Sequence, residues 1–123
     1  MIDVIVPPKS QEVYEQMQFA PAVRSGDFIF CSGSVGTGES AEEEFRQAWK
    51  NIGYVLREAG ATFEDIVDTT LYIVDMKAHA EIMFRVKSEF IKKPYPASTW
   101  IGVTELVAPD ARAEIKVIAQ RKG

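Results

Sequence analysis

The chain has 123 residues, of which 46% are apolar and 26% charged, with a formal net charge of −4 and a pI near 5.0. A chain of this length is expected to form one domain, 1–123, burying roughly 65% of its unfolded surface; its acidic balance and just two adjacent basic pairs, Lys92-Lys93 and Arg121-Lys122, argue against a nucleic-acid partner. One cysteine, Cys31, excludes an internal disulfide, and no run approaches ~18 apolar residues, so a cytoplasmic protein without signal peptide or membrane association is expected.

Asp3 to Val6 is a short β-prone run stopped by Pro7-Pro8, which predicts an edge strand. Residues 9–16 are polar and read as irregular. Phe19 to Arg24 reads as a strand that Pro21 confines to an edge or bulge, and Ser25-Gly26-Asp27 turns it into a second strand, Phe28 to Gly33. There Phe28 and Phe30 share one face, and Ile29 and Cys31 the other. Gly33 to Gly38 is loop. Ser40 with Glu43 forms a capping box that starts a helix, and Gly60 ends it. Phe45, Ala48, Trp49, Ile52, Val55, Leu56 and Ala59 make its single apolar stripe.

Ile66 to Val74 is nearly continuous in β-formers, which predicts burial on both faces or a central position. A second helix spans about Lys77 to Ile91, with Ile82, Met83, Val86 and Phe90 apolar. Pro94-Tyr95-Pro96 then forces extended chain. Beyond it Ala97, Thr99, Ile101 and Val103 point one way, and Ser98, Trp100, Gly102 and Thr104 the other. A hydroxyl, a large aromatic and a glycine on one face suit a pocket wall or a strand packed on another subunit. After a turn at Val107-Ala108-Pro109-Asp110, Arg112 to Gln120 is the last strand. The order β-β-β-α-β-α-β-β predicts an α+β fold: a mixed sheet of about six strands with two helices on one face. The second face is then solvated, closed on itself or covered by another chain.

Few residues stand out chemically. Gly33 to Ser40 matches the spacing of a phosphate-binding loop, but Glu39 stands where lysine is needed and would repel the phosphates. His79 is the only histidine, with no partners at zinc spacing and no serine elbow beside it, so no metal or cofactor is expected. Cys31 reads as a small buried hydrophobe, and Asp65, Asp68 and Asp75 as caps and turn formers. Glu114 is either a solvated outer residue of the last strand or a pocket carboxylate. Arg112, placed on the same face, could pair with it or with an anionic ligand.

Three segments together carry a family resemblance: Arg24-Ser25-Gly26-Asp27-Phe28-Ile29-Phe30-Cys31-Ser32-Gly33; Ile66-Val67-Asp68-Thr69-Thr70 with Tyr72-Ile73-Val74-Asp75; and Tyr95-Pro96-Ala97 with Ala113-Glu114-Ile115-Lys116-Val117-Ile118-Ala119. The chain resembles the Rid family (reactive intermediate deaminase, also called YjgF) over nearly its whole length. It is closest in pattern to the divergent YjgH-like branch. The resemblance implies a chorismate-mutase-like fold and a homotrimer with small-molecule clefts between subunits. It also implies hydrolysis of enamines and imines, with an arginine after Pro-Ala clamping the substrate carboxylate and a last-strand glutamate placing the water.

Carried over by position, Ser32 and Gly33 match the cleft-lining turn and Glu114 the glutamate, while Phe19 stands where many members have tyrosine. Ser98 stands in place of the arginine, and Trp100 where many have cysteine. The resemblance therefore implies a deaminase-like hydrolase of altered specificity, with Glu114 catalytic. Phe19, Ser32, Gly33, Ser98, Thr99, Trp100 and, as a substitute cation, Arg112 would bind substrate. The alternatives are a non-catalytic ligand-binding or chaperone-like trimer, and the endoribonuclease or translation-inhibitor role attributed to some members.

Overall fold

In the computed structural model, which describes residues 2–121, the strands are β1 (Ile2–Ile5), β2 (Ala22–Ser25), β3 (Phe28–Cys31), β4 (Ile66–Val74), β5 (Ala97–Val103) and β6 (Ala113–Gln120). The helices are α1 (Gln11–Met17), α2 (Ala41–Glu58) and α3 (Met76–Lys87). The strands form one mixed sheet of six in the order β1-β2-β3-β6-β4-β5. The β4–β5 pair is parallel, with α3 as its crossover, and the other pairs are antiparallel.

Alternation divides this sheet into two faces. Ile29, Cys31, Leu71, Ile73, Ala113, Ile115, Val117 and Ala119 are buried beneath Phe45, Ala48, Trp49, Ile52 and Leu56 of α2 and Met83 and Val86 of α3. Each large side chain sealed there stabilises the fold by about 1.5–3 kcal/mol. The opposite face is open. Val4, Val23, Phe30 and Ile118 lie in register across four strands. Val4, Phe28, Phe30 and Ile101 there are 38–46% exposed, large apolar side chains with nothing over them within one chain. Burial of β4 on both faces is therefore not met within the chain. β4 lies inside the sheet, yet only its helix-side residues are sealed. Val67 is the extra residue of a bulge that sets Ile66 and Thr69 on the same face.

Helix α2 starts as its sequence dictates: the Ser40 hydroxyl oxygen accepts the Glu43 N–H at 3.1 Å. The reciprocal half of the box differs, since the Glu43 carboxylate takes the Ser40 hydroxyl proton instead of a backbone N–H. Gly60, at φ 85°, ends the helix. Asp75, at φ 56°, caps α3, and Asp65 closes a capping box with Thr62. Arg46 bridges Glu42 of α2 to Glu89 just past α3, and Arg85 also reaches Glu42. Hydrogen bonds from Arg85 and Arg46 hold the Glu42 carboxyl below its ordinary range, and Arg46 does the same for Glu89. These solvent-exposed pairs orient the helices more than they stabilise them.

Two sequence expectations are corrected and a third is refined. Residues 9–16 are not irregular: a short 3-10 turn over Pro8–Ser10 leads into α1. That helix buries no residue, so it leaves no apolar stripe to read. Phe19 to Pro21 lies outside β2, because Pro21 has no N–H to pair; its carbonyl instead accepts the Ser32 N–H at 2.9 Å. The Gly33–Gly38 loop is strapped down. Ser34 exchanges backbone hydrogen bonds with Ile115 at 2.7 and 2.9 Å and donates its hydroxyl to the Ala48 carbonyl. A Cβ on Gly36 would stand 2.6 Å from the Ala48 nitrogen, and one on Gly38 2.6 Å from the Glu44 nitrogen. These glycines permit contact with α2 and do not form a phosphate cradle.

Candidate functional site

Two groups of side chains sit at separate places on the chain. The first gathers where β3 runs out. The Ser32 hydroxyl donates to the Ala20 carbonyl at 2.5 Å, fixing the turn and leaving its oxygen free to accept. Phe19, Ser32 and Gly33 line a recess of about 100 Å³ against Ile52 and Val55 of α2. Gly33 also carries Glu114. A Cβ there would overlap the glutamate, whose Cγ would be 2.9 Å away, so the carboxylate lies directly on the turn. Glu114 is half-buried on the open face opposite Tyr72. Among the described residues its carboxylate has no hydrogen-bond or ion-pair partner. Lys116, two residues along, is committed to the Cys31 carbonyl at 2.8 Å. Burial pushes the Cys31 thiol up to about 11, against a smaller opposing effect of Lys116, so it is a structural thiol and not a nucleophile.

The second group lies on β5, an edge strand. Its register with β4 places Ser98, Trp100 and Gly102 on the helix side and Ala97, Thr99, Ile101 and Val103 on the open side. Ser98 is exposed and lines a cavity of about 460 Å³ with Phe84, Lys87, Lys92 and Tyr95. Trp100 is half-buried against the core, so only part of it can serve as a wall. Thr99 faces away from Ser98.

Within one chain, then, Phe19, Ser32 and Gly33 line one recess and Glu114 lies against Gly33 from the open face, while Ser98, Thr99 and Trp100 lie apart from them on β5. Arg112 joins neither group. Its guanidinium donates to Glu44 Oε1 at 2.8 Å and to the Glu39 carbonyl at 3.0 Å, and its backbone N–H donates to Glu44 Oε2 at 2.7 Å. It does not pair with Glu114, because the buried Glu44 holds it against α2. Sequence reasoning missed Glu44 and Lys87, although both left a trace. Glu44 continues the stripe through Ala48 and Ile52, and Lys87 stands four residues past Met83. His79 serves the fold, its Nδ1 2.6 Å from the Val74 carbonyl and its ring edge-on to Phe45. Among the described residues no group of three His, Cys, Asp or Glu could hold a metal ion, and no helix is long and apolar enough to cross a membrane.

A six-stranded mixed sheet with its helices on one face and a parallel β4–α3–β5 crossover is the chorismate-mutase-like fold of YjgF proteins. Residues 9–121 match the Endoribonuclease L-PSP family, and the chain belongs to that family, which includes the YjgF and RutC proteins. It is 37% identical over 123 residues to the RutC family protein YjgH of Escherichia coli, covering 94% of this chain and 92% of that one. A solved structure of protein YjgH superposes with a TM-score of 0.88 at 34% identity, covering 98% of this chain and 97% of that one. The 2-iminobutanoate/2-iminopropanoate deaminase of Dermatophagoides farinae is 31% identical over 108 residues, covering 81% of this chain and 83% of that one.

Proposed function

We propose that this protein is a homotrimeric hydrolase of small imines or enamines, with a specificity different from that of arginine-bearing deaminases. The observation that carries this reading is the unpartnered Glu114 carboxylate resting on Gly33, the residue that follows Ser32 in the turn. In the proposed reaction Glu114 takes a proton from water as the water oxygen bonds to the imine carbon and the C=N pair moves to nitrogen. It then returns that proton to nitrogen to give a hemiaminal, and relays the hydroxyl proton to nitrogen as well; the C–N bond breaks as the oxygen's electron pair forms the carbonyl, and ammonia leaves. Phe19 and Trp100 would confine the substrate, and Ser32, Ser98 or Thr99 would supply hydroxyl contacts. A reducing, cytosolic setting suits a chain whose one thiol is buried.

The trimer reading rests on the apolar open face. Three such faces closing on one another would cover Val4, Phe28, Phe30 and Ile101, and would bring the β5 edge of one subunit toward the Glu114 group of the next. Sedimentation is expected to give three times the chain mass. Phe30→Glu, which places a charge in the middle of that face, is expected to yield monomers. A wild-type monomer at micromolar concentration would overturn this reading.

Altered specificity follows from Ser98, which cannot supply the charge-assisted, two-pronged grip of an arginine on a carboxylate. Ser98→Arg is expected to raise kcat/KM for 2-imino acids about ten- to a hundredfold. Pyruvate release from 2-aminoacrylate, generated from serine by a dehydratase, reads the change. An unmodified protein that already matches an arginine-bearing deaminase would refute it. The absent arginine also favours a second reading, a ligand-binding trimer without turnover; saturable binding with no ammonia release from any imine would support it. An endoribonuclease role has the least support, since His79 is engaged structurally and the chain is acidic.

A further inference from the structure

The cavity between the end of α3 and the β5 edge has polar groups of unequal availability. Lys92 donates its ammonium to the Ser88 carbonyl at 2.6 Å, and the Ser88 hydroxyl donates to the Phe84 carbonyl at 2.8 Å. Both are occupied by the C-terminal carbonyls of the helix. Lys87 and Ser98 are not. Among the described residues neither the Lys87 ammonium nor the Ser98 hydroxyl has a hydrogen-bond or ion-pair partner, and both line the same cavity of about 460 Å³. Lys87 is half-buried, and that burial pulls its ammonium below the ordinary lysine range, as expected of a cation short of counter-charge. The cavity also has two aromatic walls left to solvent, Phe84 at 61% and Tyr95 at 68% exposure.

We propose that Lys87 and Ser98 form the subsite for the acid group of an organic monocarboxylate whose apolar part lies between Phe84 and Tyr95. One free ammonium and one hydroxyl match a single negative charge; a phosphate dianion would leave charge uncompensated. The aromatic walls select an aryl or bulky alkyl group over the short chain of a simple imino acid. Lys87 thus supplies, from α3, the cation that Ser98 cannot supply from β5. The inference rests on the small-molecule reading above and names the class of ligand.

The test is titration calorimetry of the intact protein with phenylacetate and its neutral counterpart phenylacetamide. Phenylacetate is expected to bind about tenfold more tightly or better, a difference of about 1.4 kcal/mol. Lys87→Gln is expected to abolish that preference, Lys87→Arg to keep it, and Lys92→Gln to change it by less than about threefold. Equal affinities for acid and amide, no binding of phenylacetate at millimolar concentration, or an acid preference that survives in a folded Lys87→Gln protein would overturn the proposal. The outcome is separable from catalysis. Loss of turnover in Glu114→Gln with Lys87-dependent binding intact leaves the subsite standing, and turnover without Lys87-dependent binding overturns the subsite alone.

Discussion

Replacing Glu44 by alanine is expected to lower folding stability by about 3 kcal/mol, read as a shift of the urea midpoint at unchanged m value. Glu44 is only 5% exposed, and its two oxygens receive the guanidinium and the backbone N–H of Arg112. Its removal strands two donors at once, and a stranded buried donor costs about 1–3 kcal/mol, more when charged. The figure sits at the lower end of what breaking a buried pair can cost, because the Arg112 side chain stays 34% exposed and recovers some hydration. Glu44→Gln keeps an acceptor for one donor and is expected to lose about half as much. The effect also reaches the site. Arg112 directly precedes β6, so Glu44 fixes the entry of the strand that carries Glu114. A loss near zero would mean that Arg112 finds an equivalent partner once Glu44 is gone.

The parts of this fold that were legible in the sequence are those where one pattern has one cause. The stripe of α2, its Ser40 start and its Gly60 end each follow from local chemistry, and the alternation Phe28–Ile29–Phe30–Cys31 assigns the faces of β3. α1 was not legible, because a helix that buries nothing has no periodicity to show. Nor was the pairing of Arg112. Spacing puts it two residues before Glu114, but its partner is 68 residues away, and no local pattern reports such a distance. The Gly33–Ser40 stretch reads as loop in the sequence and is loop in the structure, but what its glycines do was not legible. Glycines that let a backbone approach a phosphate and glycines that let it approach a helix look alike in sequence; only the Ala48 and Glu44 nitrogens beneath Gly36 and Gly38 separate the two. For the site, Ser32, Gly33 and Glu114 were named from resemblance and prove to be neighbours. At Ser98 a pocket wall was among the readings of the sequence, but the Lys87 cation beside it was not foreseen, since it comes from a different element.

Glu114→Gln is expected to reduce the proposed imine hydrolysis by about a hundred- to ten-thousandfold, the range associated with a positioned acid–base group, while leaving stability within about 0.5 kcal/mol. The amide keeps the shape that rests on Gly33 but has no lone pair basic enough to take a proton from water. Small stability change is expected because the carboxylate has no partner among the described residues to lose. A structural role predicts the reverse, a stability loss with turnover retained, so the two measurements together decide. Gly33→Ala tests the same geometry from the other side. Its Cβ would displace the Glu114 side chain without altering the carboxylate, so kcat should fall while phenylacetate still discriminates between Lys87 and Lys87→Gln. Turnover unaffected by both substitutions would remove Glu114 from the chemistry and leave binding at Lys87 and Ser98 as the function of the cleft.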